Sequence, residues 1–223
     1  MGQAADFLHM MRGEDAPAAH VRALETYLVT VADHGLNAST FTARVIASTR
    51  AGLLSSVVGA LSALKGPLHG GAPGPVLDML DAIGGFDEIR PWLREALARD
   101  ERLMGFGHRV YRVRDPRADV LKATASALRV GSNRIRFAEA VEAEAIALLA
   151  RHRPGRRLDT NVEFYTALVL ETLGIPRDSF TNVFAMGRVA GWTAHVLEQE
   201  RIDRLIRPQS RYVGPEPDRP IAA

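Results

Sequence analysis

The chain has 223 residues, 47% hydrophobic and 24% charged, with a formal net charge of +2 and no cysteine. That balance suits one large or two small globular domains and excludes a disordered chain. It also excludes a disulfide framework, a thiol nucleophile and a thiolate metal centre, and gives no argument for nucleic acid. From the N-terminus, "MGQAADFLHMMRGEDAP" has acidic residues and no long apolar stretch, so no signal peptide is expected. Pro17 opens a helix with Val21, Leu24, Leu28 and Val31 at helical spacing, closed by Gly35. A proline-free run from Ser39 to Leu64, rich in Ala, Ser and Gly, reads as one long helix that lets neighbours approach closely. Its apolar part, "AGLLSSVVGALSAL", is too short and serine-broken to cross a membrane, and a cytoplasmic protein is expected. The loop "KGPLHGGAPG" follows, and Pro75 opens a helix with Val76, Leu77, Leu80 and Ile83 inward, stopped at Gly84-Gly85.

"FDEIRPWLREALARD" reads as a short helix. Asp115-Pro116 is an N-cap and first-turn pair leading into "RADVLKATASAL". "FAEAVEAEAIALLAR" is amphipathic, and the basic loop "RHRPGRR" reads as solvated. Further helices are predicted over "TNVEFYTALVLETLG", which ends at Gly174, and "DSFTNVFAMGRVAGWTAHVLEQE". The proline-broken tail is expected to be extended. Only "VYRV" alternates like a strand, so the fold class is all-α, with Gly/Pro-rich loops dividing two helical lobes.

Three places carry chemistry. In "LMGFGHRVYRVRDPR", His108 stands behind Gly105 and Gly107, with arginines after it. Glycines admit a ligand close to the backbone, arginines fork onto carboxylates and phosphates, and histidine moves protons near neutral pH. His69 lies in "KGPLHGGAPG", where the competing reading is a loop whose glycines only permit turns. Glu163 in "TNVEFY" stands three residues after Thr160, the spacing of a capping box, which would give the carboxylate a purely structural task. Two histidines and a carboxylate on loops or helix starts form a general acid–base set, and Arg117, Arg188 and Arg207 are placed to clamp carboxylates. The spacings do not suit zinc, and no P-loop, dinucleotide fingerprint or nucleophile elbow is present, so neither a metal nor a cofactor is expected.

"GFGHRVYRVRDPR", "GPLHGGA", "NVEFYTALVLETLGIP", "ADHGLNASTFTARVIAST" and "RVAGWTAHVLEQ" occur in the order found in citrate synthases, and from near residue 1 to about Gly214 the chain resembles the C-terminal part of that family. The resemblance implies a two-lobed helical fold, with large-domain helices over 1–72, a small domain over 73–177 and a C-terminal large-domain helix and tail over 178–223. It implies condensation of acetyl-CoA with oxaloacetate to citrate, a step of the tricarboxylic acid cycle. Glu163 would remove the methyl proton, His69 would stabilise the enol, and His108 would protonate the oxaloacetate carbonyl. His34, Arg117 and Arg188 would surround oxaloacetate, with Arg207 reaching in from another subunit of a homodimer, or of a heteromer with a full-length subunit. Gly105, Phe106, Gly107 and Arg112 would line the CoA side. Two departures stand out: Glu163 replaces the family's usual aspartate, and the family's long N-terminal helical region does not precede this segment. The alternatives are a 2-methylcitrate synthase using propionyl-CoA, and a truncated non-catalytic paralogue acting as an interaction partner.

Overall fold

The computed structural model describes residues 2–66, 69–70, 73–107, 115–128 and 132–214. Its α-helices are α1 (Gln3–Arg12), α2 (Ala18–Val31), α3 (Ala38–Ala47), α4 (Leu53–Leu64), α5 (Pro73–Ile83), α6 (Ile89–Ala98), α7 (Pro116–Ala127), α8 (Ser132–His152), α9 (Val162–Thr172) and α10 (Phe180–Ile202). Among the described residues the only β-type pairing is an isolated bridge between Phe106 and Thr160, and the fold is all-α. None of these helices is long and apolar enough to cross a membrane. The "VYRV" segment lies outside the described residues.

Helix α9 is the hub. Phe164, Tyr165, Ala167, Leu168, Val169 and Leu170 are all buried, so its apolar surface runs round the whole helix rather than along one stripe. It packs on α7, α5 and α2. Each Leu or Phe buried in this way contributes about 1.5–3 kcal/mol. Helix α10 packs on α2, α3 and α4, and two glycines set how closely it does so. A Cβ on Gly187 would lie 2.7 Å from Val31 Cγ2, and one on Gly191 only 2.1 Å from the Ala32 carbonyl oxygen. The two helices therefore meet backbone to backbone, and Arg188, between those glycines, is delivered into the interior.

The structure departs from the sequence reading at five places. The run from Ser39 to Leu64 is two helices, not one. Ser48 Oγ and Thr49 Oγ1 donate back to the Val45 and Ile46 carbonyls, Arg50 takes φ 62° and Gly52 φ 85°, so the chain reverses and α4 folds back on α3. An additional helix, α1, forms ahead of Pro17 and ends on Gly13 in the left-handed conformation. α5 begins at Pro73 rather than Pro75, and α8 begins at Ser132, ahead of Phe137. The capping box at Thr160 does not form. Asn161 is the N-cap of α9, and its Oδ1 accepts the Glu163 N–H at 3.0 Å. Thr160 Oγ1 instead donates to the buried Glu142 at 2.6 Å.

Candidate active site

Freed from capping, Glu163 points into the protein. The residue is half-buried overall, but its Oε2 is sealed from solvent and has no hydrogen-bond partner among the described residues. A buried carboxyl oxygen without a donor is rare and calls for a functional account. Burial pushes the Glu163 pKa up from 4.5 to about 7; the Arg117 and Arg188 guanidinium groups pull it down, and Asp115 adds to the rise. Desolvation wins over two cations. The outcome is a carboxyl group that gains and loses a proton near neutral pH, the property wanted in a general base.

Each neighbour is fixed. Arg188, 1% exposed, donates from Nε to the Val31 carbonyl at 2.6 Å and lies 4.8 Å from the Phe184 ring centroid. Burial and Arg117 hold its pKa down to about 10, so it stays charged at neutral pH. Arg117 makes a fork with Asp115, Nε to Oδ1 at 3.0 Å and NH2 to Oδ2 at 2.8 Å. Asp115 also caps α7 through the Arg117 N–H and accepts the Val162 N–H at 3.3 Å, so the starts of α7 and α9 are tied together. Tyr27 is fully buried, its hydroxyl has no hydrogen-bond partner among the described residues, and it is close enough to Glu163 and Arg188 for both to act on it.

His69 lies within reach of the Arg188 charge. Burial, then the Arg188 charge, lowers its pKa, which keeps the ring neutral. The Ser39 N–H points at His69 Nε2 at 3.3 Å, so Nε2 accepts and the proton sits on Nδ1. Ser39 Oγ lies 2.9 Å from Nε2 and accepts from Trp192 Nε1 at 3.1 Å. Trp192 is one turn beyond Arg188 on α10. His69 is thus a neutral donor whose tautomer and orientation are set from behind.

The Gly105–Gly107 segment lies alongside. Gly107 N–H donates to the Asp159 carbonyl at 2.8 Å, and Asn161 N–H donates to the Gly105 carbonyl at 2.9 Å. Asn161 Nδ2 reaches the Gly107 carbonyl at 2.9 Å, so the cap of α9 also holds this segment. Both glycines are required: each has positive φ, and a Cβ would come within 2.8 Å of Phe164 at Gly105 and 2.9 Å of Leu158 at Gly107. Beside it is a cavity of about 550 Å³ lined by Phe106, Gly107, Leu158 and the cations Arg102, Arg153 and Arg156.

The structure therefore brings together Glu163, Arg117, Arg188 and His69, with Gly105, Phe106 and Gly107 next to them. His34 lies on the loop between α2 and α3, where Asp33 organises the backbone. Arg207 is not in the cluster: it is exposed on the extended tail, which is pinned by the Ile206 N–H to Ser48 Oγ at 3.1 Å. His108 and Arg112 lie outside the described residues. Among those described, no group of three His, Asp or Glu side chains is placed to hold a metal ion. Sequence reasoning missed Ser39, Trp192 and Tyr27. Ser39 had a signal, since Asn37 two residues earlier is the N-cap of α3 and fixes the Ser39 backbone; Tyr27 looked like any core position of α2.

The chain matches the model of the citrate synthase C-terminal domain over residues 1–209. It is 49% identical over 216 residues to putative citrate synthase 2 of Mycobacterium tuberculosis, covering 97% of this chain and 57% of that protein. It is 43% identical to the 2-methylcitrate synthase of the same species, covering 97% and 54%. Citrate synthase of Thermoplasma acidophilum, solved as a ternary complex with carboxymethyl coenzyme A and oxaloacetate, superposes with a TM-score of 0.87 at 33% identity, covering 99% of this chain and 59% of that one. Citryl-CoA lyase of Hydrogenobacter thermophilus superposes with a TM-score of 0.82 at 27% identity, covering 98% and 86%. The chain spans a little over half the length of the curated synthases it matches, and across that span, with its carboxylate on α9, its arginines on α7 and α10 and its histidine in the turn between α4 and α5, it belongs to the citrate synthase family.

Proposed function

We propose that this chain carries a citrate synthase-type acyl transfer: acetyl-CoA, oxaloacetate and water give citrate and CoA through an enol, as in the tricarboxylic acid cycle. The observation that carries the reading is Glu163 Oε2, buried, without a hydrogen-bond partner among the described residues, and within reach of the charges of Arg117 and Arg188. Glu163 takes a methyl proton from the thioester, and the His69 Nδ1–H donates to the carbonyl oxygen where negative charge develops. The enol carbon attacks the keto carbon of oxaloacetate, and His108 supplies the proton to the new hydroxyl. Arg117, Arg188 and His34 take the carboxylates of oxaloacetate, and two fixed guanidinium groups make its carbonyl more electrophilic. Water then cleaves the citryl thioester and releases CoA. The Gly105–Gly107 segment and the cavity beside it, where Arg102, Arg153 and Arg156 outnumber Asp100 and Glu101, suit a polyanionic acyl-CoA, with Arg112 on its phosphates.

Arg207, exposed on its tail, serves the site of a second copy in a homodimer. Exposed Leu54, Val58 and Leu61 on α4 supply an apolar face for that contact. The division into large-domain helices over 1–72, a small domain over 73–177 and a closing segment over 178–223 belongs to the same reading. No cofactor beyond the acyl-CoA substrate is called for.

The test is CoA release from acetyl-CoA and oxaloacetate. It can be followed with a thiol reagent without background, because the chain has no cysteine. Propionyl-CoA as the faster substrate would move the reading to 2-methylcitrate synthesis, since one methylene is discriminated by pocket shape. The superposition on citryl-CoA lyase favours a second reading, in which the same base and donors run backwards and cleave citryl-CoA to acetyl-CoA and oxaloacetate. Supplying citryl-CoA and measuring oxaloacetate decides between them. Absence of turnover in every assay, by the chain alone or with a full-length subunit, would make it a non-catalytic partner.

A further inference from the structure

A string of polar side chains behind the loop between α2 and α3 takes no part in the chemistry above. His195 on α10 places Nε2 3.1 Å from Asp33 Oδ1 and Nδ1 3.1 Å from Arg44 NH1. The same guanidinium nitrogen reaches Glu198 Oε2. A guanidinium only donates, so Nδ1 accepts and the ring proton sits on Nε2, where it is donated to Asp33. The Asp33 carboxylate in turn accepts the Gly35 N–H at 3.0 Å and the His34 N–H. The ring therefore uses one donor and one acceptor, each with a partner, and the far end of the string is the backbone of His34.

We infer that His195 is a positioning residue for the His34 loop, acting through Asp33 to hold the 33–35 backbone in the conformation that presents His34 to substrate. The inference rests on the reading that His34 meets oxaloacetate. Helix α10 suits this task because Gly191, one turn before His195 on the same face, lets it touch the Ala32 carbonyl, so backbone packing and the His195 contact act together on the start of the loop. The Asp33 side chain is 51% exposed and that of Glu198 62%, so the string adds little to global stability. Its effect falls on geometry, where displacement of a binding group by about 1 Å can cost about a hundredfold in rate.

The test compares His195→Leu, which offers neither contact, with His195→Gln, whose amide can donate to Asp33 and accept from Arg44. Amide hydrogen exchange of His34 and Gly35 in the free protein needs no turnover. Exchange should quicken by about fivefold or more in the Leu variant, confined to residues 33–35, and return close to wild type in the Gln variant. Where the enzyme turns over, KM for oxaloacetate should rise more than kcat falls in the Leu variant, again with recovery by Gln. Unchanged exchange at His34 and Gly35, acceleration spread evenly over the chain, or failure of Gln to restore protection would each overturn the inference. Local acceleration rescued by Gln, in an enzyme whose KM for oxaloacetate does not move, would keep the positioning of the loop and remove His34 from the substrate.

Discussion

Replacing Glu163 by Gln separates its chemistry from its place in the helix. Raising a carboxyl from 4.5 in the unfolded chain to about 7 in the folded one corresponds to up to about 3 kcal/mol of linkage. The folded state binds the proton more tightly. This contribution to stability is therefore fully present below about pH 4.5 and is lost as the pH rises through about 7. Glutamine carries no such proton. In urea melts, Glu163→Gln should gain on wild type between pH 4.5 and 8, by up to about 3 kcal/mol, with most of the change before pH 7. The Asn161 cap accepts the backbone N–H of residue 163, so it survives the substitution. Turnover, and exchange of acetyl-CoA methyl protons with solvent, should fall by about 10²–10⁴. Glu163→Asp keeps the carboxylate and should keep or raise activity. Identical pH dependence of stability in wild type and Glu163→Gln would refute the argument that burial governs this carboxyl. Loss of stability at every pH without selective loss of proton exchange would return Glu163 to a structural role.

Gly191→Ala should destabilise the protein by about 3 kcal/mol in chemical denaturation, because its Cβ would stand 2.1 Å from a backbone oxygen that cannot move aside cheaply. Glu142→Ala removes the buried acceptor of Lys122, Thr160 and Tyr165 and should cost about 3 kcal/mol or more, read from the urea midpoint. Leu54→Glu with Val58→Glu, both at exposed positions, should leave the melting temperature nearly unchanged and shift sedimentation from dimer to monomer. A wild-type chain that already sediments as a monomer at micromolar concentration would remove Arg207 from its assigned place.

Most of the helices were legible because their signals are local. Proline at a helix start, glycine after a helix end and apolar residues at helical spacing all act within one or two turns. The break between α3 and α4 was not legible for the same reason. "STRAG" contains no proline, and its reversal depends on Arg50 accepting positive φ so that α4 can pack on α3, a tertiary gain that overrides propensity. The capping box failed by one residue. Thr160 has a better partner in Glu142, eighteen positions away in the sequence, and Asn161 takes the cap instead. Site residue types showed in the sequence, whereas the supports behind them (Ser39 for His69, Asp115 for the start of α9) depend on contacts between distant segments.

The basicity of Glu163 shows why those long-range contacts matter. A glutamate in the first turn of an exposed helix beside two arginines would be held well below 4.5, since the helix N-terminus and both cations favour its charge. Here the same neighbours lose to desolvation, and each is engaged elsewhere. Arg117 is committed to Asp115, whose own charge pushes the other way, and Arg188 spends its Nε–H on Val31 and stacks on Phe184. The close packing at Gly187 and Gly191 is what brings Arg188 inward, to where its charge acts on Glu163. A substrate carrying two carboxylates would take up the remaining positive charge of Arg117 and Arg188. That would remove the two influences now lowering the pKa of Glu163 and make its carboxylate a stronger base after oxaloacetate is bound than before. On the proposed reading, in which Glu163 is the base and the two arginines hold oxaloacetate, that charge balance calls for oxaloacetate to bind ahead of the thioester. Methyl-proton exchange of acetyl-CoA should accordingly be slow alone and quicken when a non-reactive dicarboxylate fills the arginine site. Exchange that is equally fast without any dicarboxylate would show that Glu163 does not sense the charge of those two arginines.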